Sequence, residues 1–436
     1  MGHREKLGFY CPRINYLKMF GPVVDAMRAR GSGLDPLVIV PVAPLITYRA
    51  KNRDLAAGKS LPEIRAQLGA GVEIATVDSP EAFRRLLSTA RVRAVVNVGL
   101  RLPEPIVAQT VLPSRREGVR WCALGHLQEE FFHLLEDGLR QLDHWDVATT
   151  FSRRGVEFFE GVLRERGERD TSILSRLQPI GFVELDQVGG FSREALRRKY
   201  DLPADRPVVY FSTAPRFHLL KPAGMGRAFF RTIWGGLGAR RAARRLWSVR
   251  WPEVDWLATY RDCLGCVGEF ARRNGAVLIA KTRPKHADPG YVVRSVDRVF
   301  GDGAFYPFRT LELMFLSDLY VGMPSASAFE AAFIGKRLIN LVPFPPASFE
   351  YPLFFPFKQE FYYGTDGLWN AGGFSECVRT FRAEEWTKFT EWGRNGVLDP
   401  RFSAEARRRV VEKAIGFDDF KASHRFLDLV ESVLKE

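Results

Sequence analysis

The chain reads as an α/β protein of two domains, each a parallel sheet with helices on both faces, closed by a C-terminal helix. Three observations carry this. A length of 436 residues exceeds one ordinary core. Short apolar runs alternate with stretches of helical spacing through both halves, the rhythm of parallel strands joined by crossover helices. That rhythm breaks once, around 182–192, with Gly189-Gly190 as punctuation.

In the first half the apolar runs at Lys6–Tyr10, Leu37–Pro41, Val72–Ala75, Arg93–Val98, Val119–Leu124 and Asp146–Phe151 predict strands. Leu17–Ala29, Leu61–Leu68, Pro80–Ala90 and Arg153–Arg166 have helical spacing. Arg30-Gly31 is a stop signal after the first of these, and Ser79 is a start signal before the third. In the second half Pro207–Ser212, Ala276–Ala280, Leu319–Val321 and Leu338–Leu341 predict strands. Trp256–Arg273, Thr310–Leu316 and Asp418–Leu434 predict helices. The expected division is 1–190, 191–416 with an insertion at 219–256, and a closing helix over 417–436. No internal repeat or low-complexity tract is visible.

Composition excludes several classes. An apolar content of 46% with 13% aromatic belongs to a packed globular protein. The longest apolar run, Leu34–Tyr48, is broken by Asp35, Pro36, Pro41 and Pro44, so it cannot supply the roughly 20 continuous apolar residues of a membrane span. The N-terminal stretch lacks the apolar core of a signal peptide. The five cysteines are sparse and odd in number, which suits a reducing compartment and predicts a cytoplasmic location. A net charge of +13 implies a polyanionic neighbour.

The stretch Ser317–Leu341 reads as a strand, a small-residue turn, a helix and a second strand. Ser327 and Glu330 fit the Ser-x-x-Glu capping box, and Gly335 stands where a helix would end in a left-handed residue. A strand entering a helix through a serine-rich turn builds an anion site, because free N–H groups and the helix dipole meet there. The bland alternative is a capping box that binds nothing.

Two further strands end in the same manner. Pro207–Ser212 leads into Thr213, a proline turn and Arg216. Ala276–Ala280 leads into Lys281, Arg283 and Lys285 in a proline-stiffened loop. Ligands of open parallel sheets bind beyond the carboxyl ends of strands, so Ser212, Thr213, Arg216, Lys281 and Arg283 are candidate phosphate partners. The alternative is a pair of solvated basic turns. His126 follows the Val119–Leu124 strand with Glu129 and Glu130 close by, and is either a general base or a capping or core histidine. The Pro179–Asp186 stretch reads as a tight turn between the lobes, a hinge.

Other motifs fail. Cys263 and Cys266 lie within a helical pattern with no second pair at zinc-site distance, so they read as core cysteines. Gly335-Lys336 lacks the upstream glycine and the following hydroxyl of a phosphate loop. Gly236-Leu-Gly238 follows no strand. There is no Asp-x-Asp carboxylate pair for a metal. No metal and no cofactor are expected.

From Lys221 to Arg250 there are eight basic residues and no acid, interleaved with Phe229, Phe230, Trp234 and Trp247 and followed by Trp251 and Trp256. Such a mixture, with a helix over 238–249, suits an anionic membrane face through Arg240, Arg241, Arg244, Arg245 and Trp247. A solvated helix with buried tryptophans and a single-stranded nucleic-acid grip are the alternatives. No nucleic-acid module is visible, and no nucleic-acid partner is expected.

Together these segments resemble the CDP-glycerol glycerophosphotransferases and related capsule and teichoic-acid transferases, within the two-Rossmann (GT-B) group. Ala214-Pro215-Arg216 is similar to the family's Pro-Thr-x-Arg, and Lys281-Thr-Arg283-Pro284 to its Lys-x-His-Pro. Asp318, Ser325, Phe329, Glu330, Gly335 and Lys336 match its Asp-Leu…Ser-x-x-x-Phe-Glu-Ala…Gly-Lys run. Gly181–Asp186 looks like its Gly-x-Pro-x-x-Asp hinge, and Gln359–Tyr363 with Gly372-Gly373 like its late aromatic segment. His126 falls roughly where the family places its base, with Gly125-His126 in reversed order. The likeness spans about residues 90–380. Arg283 in place of histidine, and Met323-Pro324 in place of Asp-Tyr, depart from CDP-glycerol itself.

The resemblance implies two Rossmann-like domains facing across a cleft. It implies a metal-independent transferase moving a glycosyl or glycerophosphate group from a nucleotide-activated donor to a polysaccharide or lipid-linked acceptor at the inner membrane face. The diphosphate would lie on Ser325 and Ser327, with Arg216, Lys281 and Arg283 offsetting leaving-group charge. Glu330 would take the ribose hydroxyls, and His126 the acceptor proton. A nucleotide-sugar 2-epimerase, or a non-catalytic basic binding protein on the same scaffold, are the alternatives.

Overall fold

The computed structural model describes residues 4–42, 61–69, 71–125, 139–153, 156–157, 160, 164, 174, 176–213, 256–281, 290–301, 307–322, 326–342, 378–382, 385–398 and 404–436. They form two compact units: Met1–Gly190 with Val411–Glu436, and Phe191–Val410. The 238–249 helix and the late aromatic segment lie outside the described residues, as does most of the helix expected over 153–166.

The first unit runs β1 (Lys6–Tyr10), α1 (Leu17–Arg30), β2 (Asp35–Pro41), α2 (Leu61–Leu68), β3 (Glu73–Val77), α3 (Pro80–Thr89), β4 (Val92–Val98), β5 (Arg120–Leu124), β6 (Val147–Thr150) and β7 (Leu177–Pro179). A helical stretch over 104–116 joins β4 to β5. The strands pair in parallel in the order β3-β2-β1-β4-β5-β6-β7. Local chemistry sets the helix ends as the sequence predicts. Ser79 Oγ accepts from the Ala82 N–H at 3.1 Å ahead of Pro80. Gly31 closes α1 at φ +61. One sheet face packs Tyr10, Ile39, Val95 and Trp121 against Phe83 and Leu87 of α3. On the other face Phe9 meets Phe20 of α1 at 5.1 Å.

The second unit runs α4 (Arg193–Lys199), β8 (Val208–Ser212), α5 (Trp256–Arg273), β9 (Val277–Lys281), α6 (Gly290–Ser295), β10 (Arg298–Phe300), α7 (Pro307–Leu316), β11 (Leu319–Gly322), α8 (Ala326–Ile334), β12 (Arg337–Val342), β13 (Val378–Arg382), α9 (Trp386–Asn395) and the first part of α10 (Ala404–Ala414), whose residues from Val411 on belong to the first unit. Its sheet order is β10-β9-β8-β11-β12-β13, again with parallel pairing. Counted from its own first strand this is 3-2-1-4-5-6, the Rossmann order, with the direction of winding reversing between β8 and β11. Val209, Phe211, Val321, Ile339 and Leu341 pack on Cys263, Val267 and Phe270 of α5 and Phe389 of α9. Cys263 is thus a core cysteine, as expected, and Cys266 is half-buried beside it.

One device recurs at the amino ends of the strands. Asp146, Asp297 and Asp318 each stand immediately before a strand. Each donates its own N–H to a carbonyl of the neighbouring strand, at Trp121, Leu278 and Val208 respectively (2.8–2.9 Å). Each carboxylate accepts the N–H of that same residue (2.7–2.8 Å). The side chain thereby extends the ladder by one bond where a strand would start with an orphan donor, and it fixes the parallel register.

The last helix, α11 (Ala422–Lys435), belongs to the first unit. Asp186 accepts from the N–H groups of Ala422 (3.1 Å) and Ser423 (2.6 Å), so a carboxylate sits at the helix N-terminus. Burial pushes the Asp186 carboxyl up, against the pull of those bonds. Arg425 Nε donates to the Ile180 carbonyl (2.7 Å), and Arg30 reaches His424 Nδ1 (2.9 Å) and Asp428 (2.7 Å). Gly181 adopts φ +93, and a side chain there would press on Arg425. The expectation that Gly181–Asp186 turns between the lobes is therefore corrected. The turn lies inside the first unit and fastens α11, and the chain leaves that unit at Gly190.

Candidate functional site in the second unit

The carboxyl end of the second sheet is where its sequence changes character. β8, β9, β11 and β12 are apolar along most of their length; β8 ends in Ser212, β9 in Lys281 and β11 in Gly322, while β12 carries Asn340 two residues before its end. Ser212 pairs with Lys281 across β8 and β9, and Gly322 with Asn340 across β11 and β12. Because Val321 stands opposite Phe211, Gly322 falls level with Ser212. Lys281, Ser212, Gly322 and Asn340 therefore form one lateral row over four adjacent strands. The alternate residues Val209, Phe211, Val321, Ile339 and Leu341 face the opposite core, so the row lies on the side that α7 and α8 cover.

Lys281 is only 4% exposed, a rare degree of burial for a lysine. The Thr213 hydroxyl, also buried, donates to the Lys281 carbonyl at 3.0 Å and ties the ends of β8 and β9 together. One row further in, Tyr210 and Tyr320 meet edge to face at 5.4 Å. The Tyr320 ring leans over Gly322: a methyl group there would stand 2.7 Å from the ring edge and 3.0 Å from the hydroxyl. Only glycine admits that ring.

α8 opens beside this row, after β11. It begins at Ala326, which corrects the capping-box reading. Ser327 is the second helical residue and half-exposed, in the first turn rather than before it. Glu330 is the fifth, too far along to return to the cap, and only 5% exposed. It lies about 6 Å along the axis from the helix start, on the sheet face that carries the row. Gly335 closes the helix as expected, at φ +87, with Gly335 and Lys336 N–H groups donating to Ala332 and Ala331.

The structure separates residues that the sequence motif grouped. Asp318, Gly335 and Lys336 lie at the amino end of the sheet, away from the row. There Asp318 holds Arg193 in a forked bond (2.6 and 2.7 Å), and Lys336 lies 5.1 Å over the Phe315 ring. Burial lowers the Lys336 ammonium to about 8, helped by Arg193 and opposed by Asp318. These three residues are framework. Ser212, Thr213, Lys281, Ser327 and Glu330 lie at the carboxyl end. Arg216, Arg283, Ser325 and His126 fall outside the described residues, as do Arg240, Arg241, Arg244, Arg245 and Trp247. Among the described residues, no group of three or more His, Cys, Asp or Glu could hold a metal ion. None of the described helices is long and apolar enough to cross a membrane.

Sequence reasoning missed Gly322 and Asn340. An asparagine in the middle of an apolar strand was the available signal.

This is the two-domain Rossmann-like α/β fold of the GT-B class, and solved structures of that class resemble the whole chain. A variant of the wall teichoic acid polymerase TagF superposes with a TM-score of 0.57 at 13% identity, covering 99% of this chain and 89% of that one. A Listeria monocytogenes protein assigned as a UDP-N-acetylglucosamine 2-epimerase gives 0.55 at 10% identity, covering 99% and 97%. The UDP-GlcNAc 2-epimerase of Neisseria meningitidis bound to UDP-GlcNAc gives 0.50 at 10% identity, covering 98% and 99%. At such identities the likeness is one of fold. No protein-family model and no curated protein sequence matches the chain.

Proposed function

We propose that the chain is a transferase that moves a glycosyl or glycerophosphate group from a nucleotide-activated donor to a surface-polysaccharide or lipid-linked acceptor. The observation that carries this is the row of Lys281, Ser212, Gly322 and Asn340 at the carboxyl end of a 3-2-1-4-5-6 sheet, across its winding reversal. Ligands of open α/β sheets lie at that point, where a lysine and a serine hydroxyl are groups that suit a phosphate.

In this reading the diphosphate meets Ser212, Thr213, Ser325 and the first turn of α8 at Ser327. Lys281, Arg216 and Arg283 offset the charge that grows on the departing nucleotide as its bond to the transferred group breaks. Glu330, which the structure removes from the capping box, accepts the ribose hydroxyls. His126 takes the proton of the attacking acceptor hydroxyl. Turnover with a panel of CDP-, CMP-, UDP- and GDP-linked donors tests the reading. His126→Ala should lose about 10²-fold in turnover with donor affinity intact. Failure of every donor to bind or react retires the proposal.

A nucleotide-sugar 2-epimerase is the second reading, favoured by the full-length likeness to two structures of that name. Conversion of a UDP-sugar to its 2-epimer without any acceptor would select it. We further propose that the basic, aromatic stretch 221–256 holds the enzyme at an anionic membrane face. Phosphatidylglycerol vesicles should float the full chain and leave a chain lacking 221–256 behind. Equal flotation of both removes the membrane from the proposal.

A further inference from the structure

Asn340 is 1% exposed, in the second of six strands counted from the β13 edge, and its Oδ1 accepts no hydrogen bond among the described residues. A buried amide oxygen without a donor is costly, and a strand at that place has no packing need for it: Leu would fill the same volume. Its neighbours give the oxygen a meaning. Register sets it level with Gly322, and through Gly322 with Ser212 and Lys281, on the face that α8 and Glu330 cover. Beside it, β11 offers no side chain at Gly322, only the leaning Tyr320 ring, whose edge and hydroxyl cover that glycine. Every other polar group of the row suits an anion or a hydroxyl, while Asn340 presents an acceptor that waits for a donor.

We propose that Asn340 determines ligand specificity in the second unit: its amide oxygen takes a hydrogen bond from an N–H or O–H group of the bound nucleotide, reached when the Tyr320 ring swings away from Gly322. This rests on the nucleotide-site reading above. The amide in turn selects among nucleotides by whether they bring a donor to that point, a discrimination that Lys281 and the α8 terminus, which see only phosphate, cannot make.

Binding of UDP and CDP to the full chain by titration calorimetry, with Tm measured in parallel, tests this in Asn340→Leu and Asn340→Asp. Asn340→Leu removes the orphan acceptor at nearly constant volume. It should raise Tm by about 2–4 °C and weaken the preferred nucleotide about five- to tenfold. Asn340→Asp keeps an acceptor in the same place and should bind within about threefold of the parent. Equal affinity of Asn340→Leu and the parent overturns the inference and leaves the site reading standing. Loss of affinity in both variants with a fall in Tm assigns Asn340 to packing, which also overturns it. Absence of UDP and CDP binding to the parent chain removes the site reading, and the inference with it.

Discussion

Lys281→Met should cost about 10²-fold in nucleotide diphosphate affinity or in turnover. Lys281 carries its charge at 4% exposure, at the strand ends where a ligand of an open sheet lies. Methionine matches the stem and lacks the charge. What disappears is a charge-assisted contact in a low-dielectric place, worth roughly 2–3 kcal/mol to a diphosphate. The Thr213 tether uses the Lys281 backbone carbonyl and survives the substitution. Isothermal titration with UDP and CDP reads the affinity, and a urea melt checks that the variant is folded. Unchanged affinity together with unchanged turnover would show that Lys281 does not serve the ligand.

Asp318→Ala should be the most destabilising single change in the second unit, by roughly 3 kcal/mol. Asp318 is only 13% exposed at its side chain and answers two demands at once. It takes the Val208 N–H that begins β8, and it takes the fork of Arg193, with Arg197 at 4.0 Å. Removing it orphans a strand donor and leaves Arg193, Arg197 and Lys336 as neighbouring cations without their counter-charge. Asp318→Asn can still accept from Val208 and should lose about half as much. Hydrogen exchange at β8 and β11, read with a urea midpoint shift of about 1 M, would register the loss. Nucleotide binding should persist in the folded fraction, because Asp318 lies at the opposite end of the strands from Lys281. A variant that stays stable and loses ligand instead would reverse the roles given to the two ends of the sheet.

These two residues show how far reading along the chain reaches. Asp318 and Lys281 both stand out there, one before an apolar run and one after. Their ends of the strand follow from chain direction, and their partners do not. Nothing local indicates that Val208 is the neighbour of Asp318, or that Ser212 stands level with Lys281. The capping box was misassigned for a related reason: Ser325 and Ser327 are two residues apart, and only the first turn of α8 shows which one lies inside the helix. The edge strands β10 and β13 escaped notice because edges are short and partly polar, so Arg298–Phe300 and Val378–Arg382 lack the apolar signature of β8 or β12.

Features written into a few consecutive residues were decided by the sequence alone: the apolar strands, Ser79 before α3, Gly31 and Gly335 after their helices, and so the α/β class. Such choices depend on propensity, capping and left-handed backbone, whose energies are local. The lateral order of the strands was decided only in three dimensions, because parallel neighbours are joined through crossovers and pair across long stretches of chain. The row of Lys281, Ser212, Gly322 and Asn340 exists only once β8 has taken β9 on one side and β11 on the other. So does the leaning Tyr320 ring that makes glycine necessary at 322.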